Sequence, residues 1–242
     1  MQIISGGVTA AKGFHANGIH CGIRKNADKK DLALLYSQKI CNAAAVYTQN
    51  EVKGEPLYVT MDHIKNGKAQ GIIINSGNAN TCTGKEGRIN AYKMTELTAV
   101  KLGIEKEDVL VASTGIIGVP LNIDAIENHM DNLVQDLNKD GWDRAAEAIL
   151  TTDTRPKSIA LRFKINGKTI TLGAMAKGSG MIHPNMATML SFIATDINIE
   201  QELLQEALSE SVKKSYNRVS VDGDTSTSDM VILLANGEAE NP

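Results

Sequence analysis

The stretch from 158 to 177 constrains the fold most. Residues 158–165, SIALRFKI, alternate between apolar and polar, and the alternation resumes at 168–172, KTITL, after Asn166-Gly167. Such alternation sends successive side chains to opposite faces of a strand. Asn-Gly tolerates positive φ at both central positions of a two-residue turn. A hairpin is predicted, and its second strand delivers the chain to Ala176-Lys177-Gly178. A glycine-bearing stretch comes next, within MAKGSGMIHPNMATML at 175–190, and then a strand-like run, TMLSFIAT, at 188–195.

Elsewhere strand-length apolar runs alternate with helix-like segments. Residues 71–75 read as a buried strand ended by a Ser76-Gly77-Asn78 turn. Residues 86–102 read as a helix with an apolar stripe of Ala91, Met94, Leu97, Thr98, Val100 and Leu102, stopped by Gly103. Residues 108–112 form a strand leading straight into Ser113-Thr114-Gly115. Helices are expected at 123–137, at 143–150 and at 201–216, the last with Glu at its start and Lys213-Lys214 near its end, as the helix dipole favours. Residues 230–234 read as a strand. The pattern is α+β (mixed α/β), with no repeat and no linker that splits it into independent domains. At 242 residues and 42% hydrophobic, the chain can bury a large core. Aromatics are only 4%, so aliphatic side chains must fill it.

A net charge of −3 without basic clusters argues against nucleic acid as a partner. Lys29-Lys30 and Lys213-Lys214 read as solvated. Cys21, Cys41 and Cys82 form no CxxC pair, which disfavours a disulfide scaffold or a zinc site and fits a reducing compartment. Cys82 reads as a small buried residue. The five histidines show no HxxxH or HxH spacing, so no metal is expected. No apolar run reaches the roughly 18 residues of a membrane span, and the start lacks a signal-peptide pattern. The cytoplasm is the default location.

Thr188 is where chemistry is sought first. An internal threonine has no base nearby in sequence, but a threonine at a chain start carries one, its own α-amine. That amine has an ordinary pKa of about 7.7–8. A break between Ala187 and Thr188 would therefore create an activated nucleophile. Ala187 has no bulk to hinder attack, and Gly178, Gly180 and Pro184 suit a strained loop. His183 is an alternative base that the α-amine makes unnecessary. Thr114-Gly115, at a strand end, can present a hydroxyl and an N–H to a developing oxyanion; an ordinary strand-to-loop turn is the bland alternative. Lys177 reads on its own as a solvated charge, and Thr151-Thr152-Asp153-Thr154 as a polar turn with side-chain-to-backbone bonds. The acidic run 222–229 lacks a calcium-loop pattern and reads as a hydrogen-bonded loop near the site. Residues 75–80 read as structural, shaping the site.

Five blocks carry a resemblance: NSGNANTCTG at 75–84, ASTGIIGVPL at 112–121, TTDTRPK at 151–157, the 175–190 stretch, and NRVSVDGDTSTSD at 217–229. Together, in this order, they resemble the ornithine acetyltransferase family, also called glutamate N-acetyltransferases. The resemblance runs from near Ser5 to the end of the chain. It implies a layered sheet-and-helix sandwich, similar in style to N-terminal-nucleophile hydrolases but with its own topology. It also implies self-cleavage between Ala187 and Thr188, giving an α fragment, 1–187, and the start of a β fragment, 188–242. Acetyl then moves from N2-acetylornithine to glutamate through acetyl-Thr188, with Thr114 and Gly115 as oxyanion hole and Thr151, Lys177 and Thr188 contacting substrate. Thr152 is the second choice for the threonine contact. No metal or organic cofactor is implied. Some relatives also use acetyl-coenzyme A, and no residue decides that for this chain. A homodimer of processed protomers is expected, with small-molecule substrates and neither nucleic acid nor membrane as partner. Members of the family continue beyond a strand like 230–234, so further substrate contacts are implied past Pro242. Two other readings remain open: a self-processing aminopeptidase or amidase, and an uncleaved binding domain.

Overall fold

The computed structural model describes residues 1–181 and 189–242. Ala187, Thr188, His183 and Pro184 lie outside the described residues. The strands are β1 (Gln2–Ile4), β2 (Phe14–Ile19), β3 (Leu32–Tyr47), β4 (Lys68–Asn78), β5 (Val109–Ile116), β6 (Lys157–Ile165), β7 (Lys168–Lys177), β8 (Leu190–Thr195) and β9 (Met230–Ala235). They join in one sheet of order β1-β6-β7-β8-β9-β3-β4-β5, with β2 also paired to β3. The helices are α1 (Glu55–His63), α2 (Gly84–Leu102), α3 (Ile123–Glu127), α4 (Met130–Gln135), α5 (Trp142–Ala148) and α6 (Gln201–Lys214).

The hairpin forms as the alternation predicts. Strands β6 and β7 pair antiparallel from Ile165↔Lys168 to Lys157↔Ala176. Asn166 and Gly167 both take positive φ, 48° and 82°. Strand β7 then pairs with β8, and β8 runs parallel to β9 through α6. The 16-residue β3 ties the sheet together. Its register against β4 shifts between Tyr36 and Cys41; its first half lies between β2 and β4, while its second half pairs with β9 and meets β4 only at Cys41 and Asn42.

The sheet is apolar on both faces. Ala33, Leu35, Ile72, Ile74, Leu110 and Ala112 share one core with Met175, Phe192, Ile232 and Leu234, capped by α5. On the other face, Leu32, Leu34, Ile73 and Val111 pack under α2–α4, while Val231 and Leu233 pack under Leu204, Leu208 and Val212 of α6. Helix α2 ends at Gly103 in a left-handed conformation, φ 69°, as expected of a C-terminal glycine.

Several sequence expectations are corrected. Residues 123–137 form two short helices, broken at Asn128-His129, where a new turn begins. The strand at 71–75 does not stop at Ser76; β4 continues to Asn78, because Gly77 pairs with Gly115 of β5. Val100 is exposed; the buried stripe of α2 runs through Ala91, Met94, Thr95, Thr98 and Ala99. Cys82 is exposed. It sits at φ 56° in a turn before α2, a conformation that lifts its side chain away from the core. Among the described residues no helix is long and apolar enough to cross a membrane.

Candidate active site

The ends of β4, β5 and β7 open onto a cleft of about 1040 Å³. Asn78, Thr114, Gly115, Thr151, Thr152, Lys177 and Ser226–Ser228 all line it. Residues distant in sequence thus meet there: both oxyanion candidates, both threonine candidates and the lysine. The chain reaches Met181 on the cleft wall, and is described again from Met189. Thr188, the proposed nucleophile, is in the stretch between.

Close backbone packing places Thr114 and Gly115. Gly115 has φ 135°, and a Cβ there would lie 2.3 Å from the Gly77 carbonyl carbon. Only glycine lets β4 and β5 approach this closely at the end of their ladder. Asn75 stiffens the corner: its amide donates to the Asn78 carbonyl at 2.8 Å, and its Oδ1 accepts from Ser113 Oγ at 2.5 Å. Asn78 in turn donates to the Val119 and Pro120 carbonyls. Of residues 75–80, Gly77, Asn78 and Ala79 line the cleft.

Lys177 is 4% exposed, not solvated. Its Nζ donates to Thr114 Oγ1 at 3.3 Å. The Thr114 hydroxyl therefore accepts from the lysine and keeps its own proton for another acceptor. Burial pushes the lysine pKa down, while Asp153 and Asp229 push it up. Asp153 ties the end of β7 to the polar turn at 151–154. It accepts from Gly178 N at 2.8 Å and from Thr151 N at 3.4 Å, and it pairs with Lys157. Thr152 Oγ1 and Ser179 Oγ are 2.6 Å apart. Of the lysine pair read as solvated, Lys29 is exposed and lines the cleft. Lys30 is instead half-buried on Glu147, at 2.6 Å.

Two residues of the site escaped the sequence reading as individuals. Arg24 lines the cleft from the β2–β3 loop. Asp229, at the end of the acidic run, is 1% exposed and accepts from Met189 N at 2.8 Å. Met230 N donates to the Met189 carbonyl, so the residue after Thr188 is held on both sides. Burial pushes the Asp229 carboxyl from its ordinary 3.8 up to about 8, against the pull of the Met189 N–H, Ser226 and Lys177. Between those two values the folded protein holds a proton that the unfolded chain has lost. Stability should therefore fall as pH rises from about 4 to about 8. Asp229→Asn keeps an acceptor for Met189 and cannot ionise, so it should flatten that slope. Urea unfolding at about pH 5 and about pH 8.5 checks this; an unchanged slope would show that Asp229 is not its source.

The fold is a sheet covered by helices, with a cleft at the ends of β4, β5 and β7. The L-aminopeptidase D-Ala-esterase/amidase of Ochrobactrum anthropi, described as a variant of the N-terminal-nucleophile hydrolase fold, superposes with a TM-score of 0.59 over 96% of this chain and 74% of its own, at 12% identity. The chain belongs to the ArgJ family, whose model matches residues 15–242. The arginine biosynthesis bifunctional protein ArgJ of Caldanaerobacter subterraneus is 50% identical over 241 residues, which are 100% of this chain and 59% of that protein. This chain thus spans about 60% of the length of such curated relatives. The ArgJ crystal structure from Bacillus halodurans matches with TM-score 0.72 and 45% identity, over 76% of this chain and 96% of its own. The ornithine acetyltransferase of Mycobacterium tuberculosis, solved in complex with ornithine, matches with TM-score 0.69 and 35% identity, over 76% and 97%.

Proposed function

We propose that this chain is the greater part of a self-processing acyltransferase that moves acetyl from N2-acetylornithine to glutamate. The observation that carries the reading is the convergence of Thr114, Gly115, Lys177 and Thr151 on one cleft, beside the stretch that holds Thr188. In the maturation step, Thr188 Oγ attacks the Ala187 carbonyl carbon. The peptide nitrogen leaves as the α-amine of Thr188, and water hydrolyses the resulting ester. The products are an α fragment, 1–187, and a fragment that begins at Thr188. In turnover, the new α-amine takes the proton from Thr188 Oγ, which attacks the acetyl carbonyl. Thr114 Oγ1–H and the Gly115 N–H stabilise the oxyanion. Ornithine leaves with the proton, and the amine of glutamate then takes the acetyl group from Thr188. Lys177 and Thr151 contact the bound amino acid, the lysine through its carboxylate. Amide is exchanged for amide, so the chemistry calls for no cofactor. Processed protomers pair into a homodimer.

The lengths of the relatives support processing. The two solved chains are shorter than this one, since 76% of it takes up nearly all of each. The curated relatives are longer. Cutting a long precursor near Ala187 produces that relation. An intact-mass spectrum of the purified protein under denaturing conditions tests the reading. Two pieces are expected, one ending at Ala187 and one beginning at Thr188. One uncut species from the protein at its natural full length would overturn it.

A further inference from the structure

Arg24 belongs to a polar run, IRKNADKK at 23–30, that has every mark of a solvent-facing loop. Residues 25–29 are exposed, but Arg24 is drawn partly inward. Asp31, fully buried, accepts from Cys21 N at 2.6 Å and from Arg24 N at 2.8 Å, which fixes the backbone of the loop. The arginine stem then crosses Gly77: a Cβ there would meet Arg24 Cγ at 2.7 Å. Gly77 lies in turn against Gly115, so the arginine sits one layer of backbone from the proposed oxyanion hole. Beyond it, Nη2 donates to the carbonyl of Leu150, the residue before Thr151.

The guanidinium is only partly satisfied there, with Asp31 and Asp153 attracting it from beyond ion-pair distance. Its Nε is buried without a hydrogen-bond partner. Among the described residues it makes no ion pair within 4.0 Å. The described lining of the cleft also includes Lys25, Lys29 and Lys177 and contains no carboxylate. An arginine cannot shed its charge, and its donors form a planar fork that fits two oxygens of one anion. An unpaired donor of this kind, buried at the wall of an open cleft, calls for a carboxylate from the ligand.

We propose that Arg24 binds the side-chain carboxylate of the acceptor, so that this position selects an acidic amino acid over a neutral one. The inference rests on the acetyl-transfer reading above. A glutamate acceptor brings two carboxylates. Lys177 suits one as a point charge, and the fork of Arg24 suits the other. The donor has a single carboxylate, and its side chain ends in an ammonium, which Arg24 repels. The arginine therefore separates acceptor from donor by charge.

The test uses the protein at its natural full length. It is acetylated with N2-acetylornithine, freed of donor, and followed by mass as it passes the acetyl group to glutamate, glutamine or glutamate γ-methyl ester. Glutamate is expected to react with a kcat/KM about tenfold or more above the two neutral acceptors. Arg24→Met should lower the glutamate-to-glutamine ratio about tenfold or more, and Arg24→Lys should restore part of it. A general loss of structure would lower both rates together and leave the ratio in place. Equal rates with the three acceptors on the natural protein would overturn the proposal, even if Arg24→Met did not fold. So would a ratio unchanged in Arg24→Met. A natural protein that takes up no acetyl group would sink the transferase reading itself, and this inference with it.

Discussion

Thr188→Ala is expected to leave the protein in one piece and to lower acetyl transfer by on the order of 10⁶-fold, the scale seen when a serine-protease nucleophile is removed. In the proposed mechanism the hydroxyl is needed twice, once to cut the chain and once to carry the acetyl group. The same substitution also leaves the α-amine locked in a peptide bond, so the base is lost with the nucleophile. Thr188 is outside the described residues, and the expectation rests on its surroundings. Met189 is held by Asp229 and Met230, and Lys177 and Thr114 line the cleft. Thr188→Ser keeps the hydroxyl and should still be cut. Intact mass separates the variants directly. A Thr188→Ala chain that splits at this bond would remove Thr188 from the maturation step, and one that turns over normally would remove it from both.

The second large effect belongs to Thr114. Thr114→Ala should lower kcat by about 10²–10³, the usual loss for one oxyanion donor. KM should change little, because the interaction is made only in the transition state. The geometry makes the hydroxyl a directed donor. Its oxygen already accepts from Lys177 at 3.3 Å, so its proton is left for the oxyanion. Thr114→Ser should recover much of the rate. If the alanine variant instead raised KM with kcat intact, Thr114 would be a binding group and the oxyanion role would be wrong.

The fold was legible wherever a strand has one wet face or a turn has demanding backbone angles. The β6–β7 hairpin announced itself through alternation and Asn166-Gly167. Strand β3 did not: LALLYSQKICNAAAVY is covered on both faces over much of its length, so its sequence carries no period of two. The site was legible in part for a different reason. Thr114, Gly115, Thr151 and Lys177 were picked out by their blocks, and the cleft brings all four together. Arg24 and Asp229 were missed because neither has a local signature. One needs Gly77 beneath it, and the other needs Met189 beside it; both partners are distant in sequence. Cys82 was misplaced because its neighbours in sequence say nothing of the left-handed turn that exposes it.

The position of β8 in the sheet decides what the proposed scission would do to the molecule. The Ala187–Thr188 bond lies between β7 and β8, strands already paired from Leu172↔Thr195 to Lys177↔Leu190. Beyond them β9 closes onto β3. Breaking that bond removes no rung of either ladder. The strand–helix–strand unit of β8, α6 and β9 stays as an insert between β7 and β3, held on both flanks by backbone hydrogen bonds. A cut protein of this design is a split protein that never comes apart: its halves should travel together through native purification and separate only in denaturant. Made as two separate chains, the larger half would expose two raw sheet edges with an affinity for any extended peptide. Under the proposed processing, synthesis as one chain that is cut only after folding would keep those edges from ever being open.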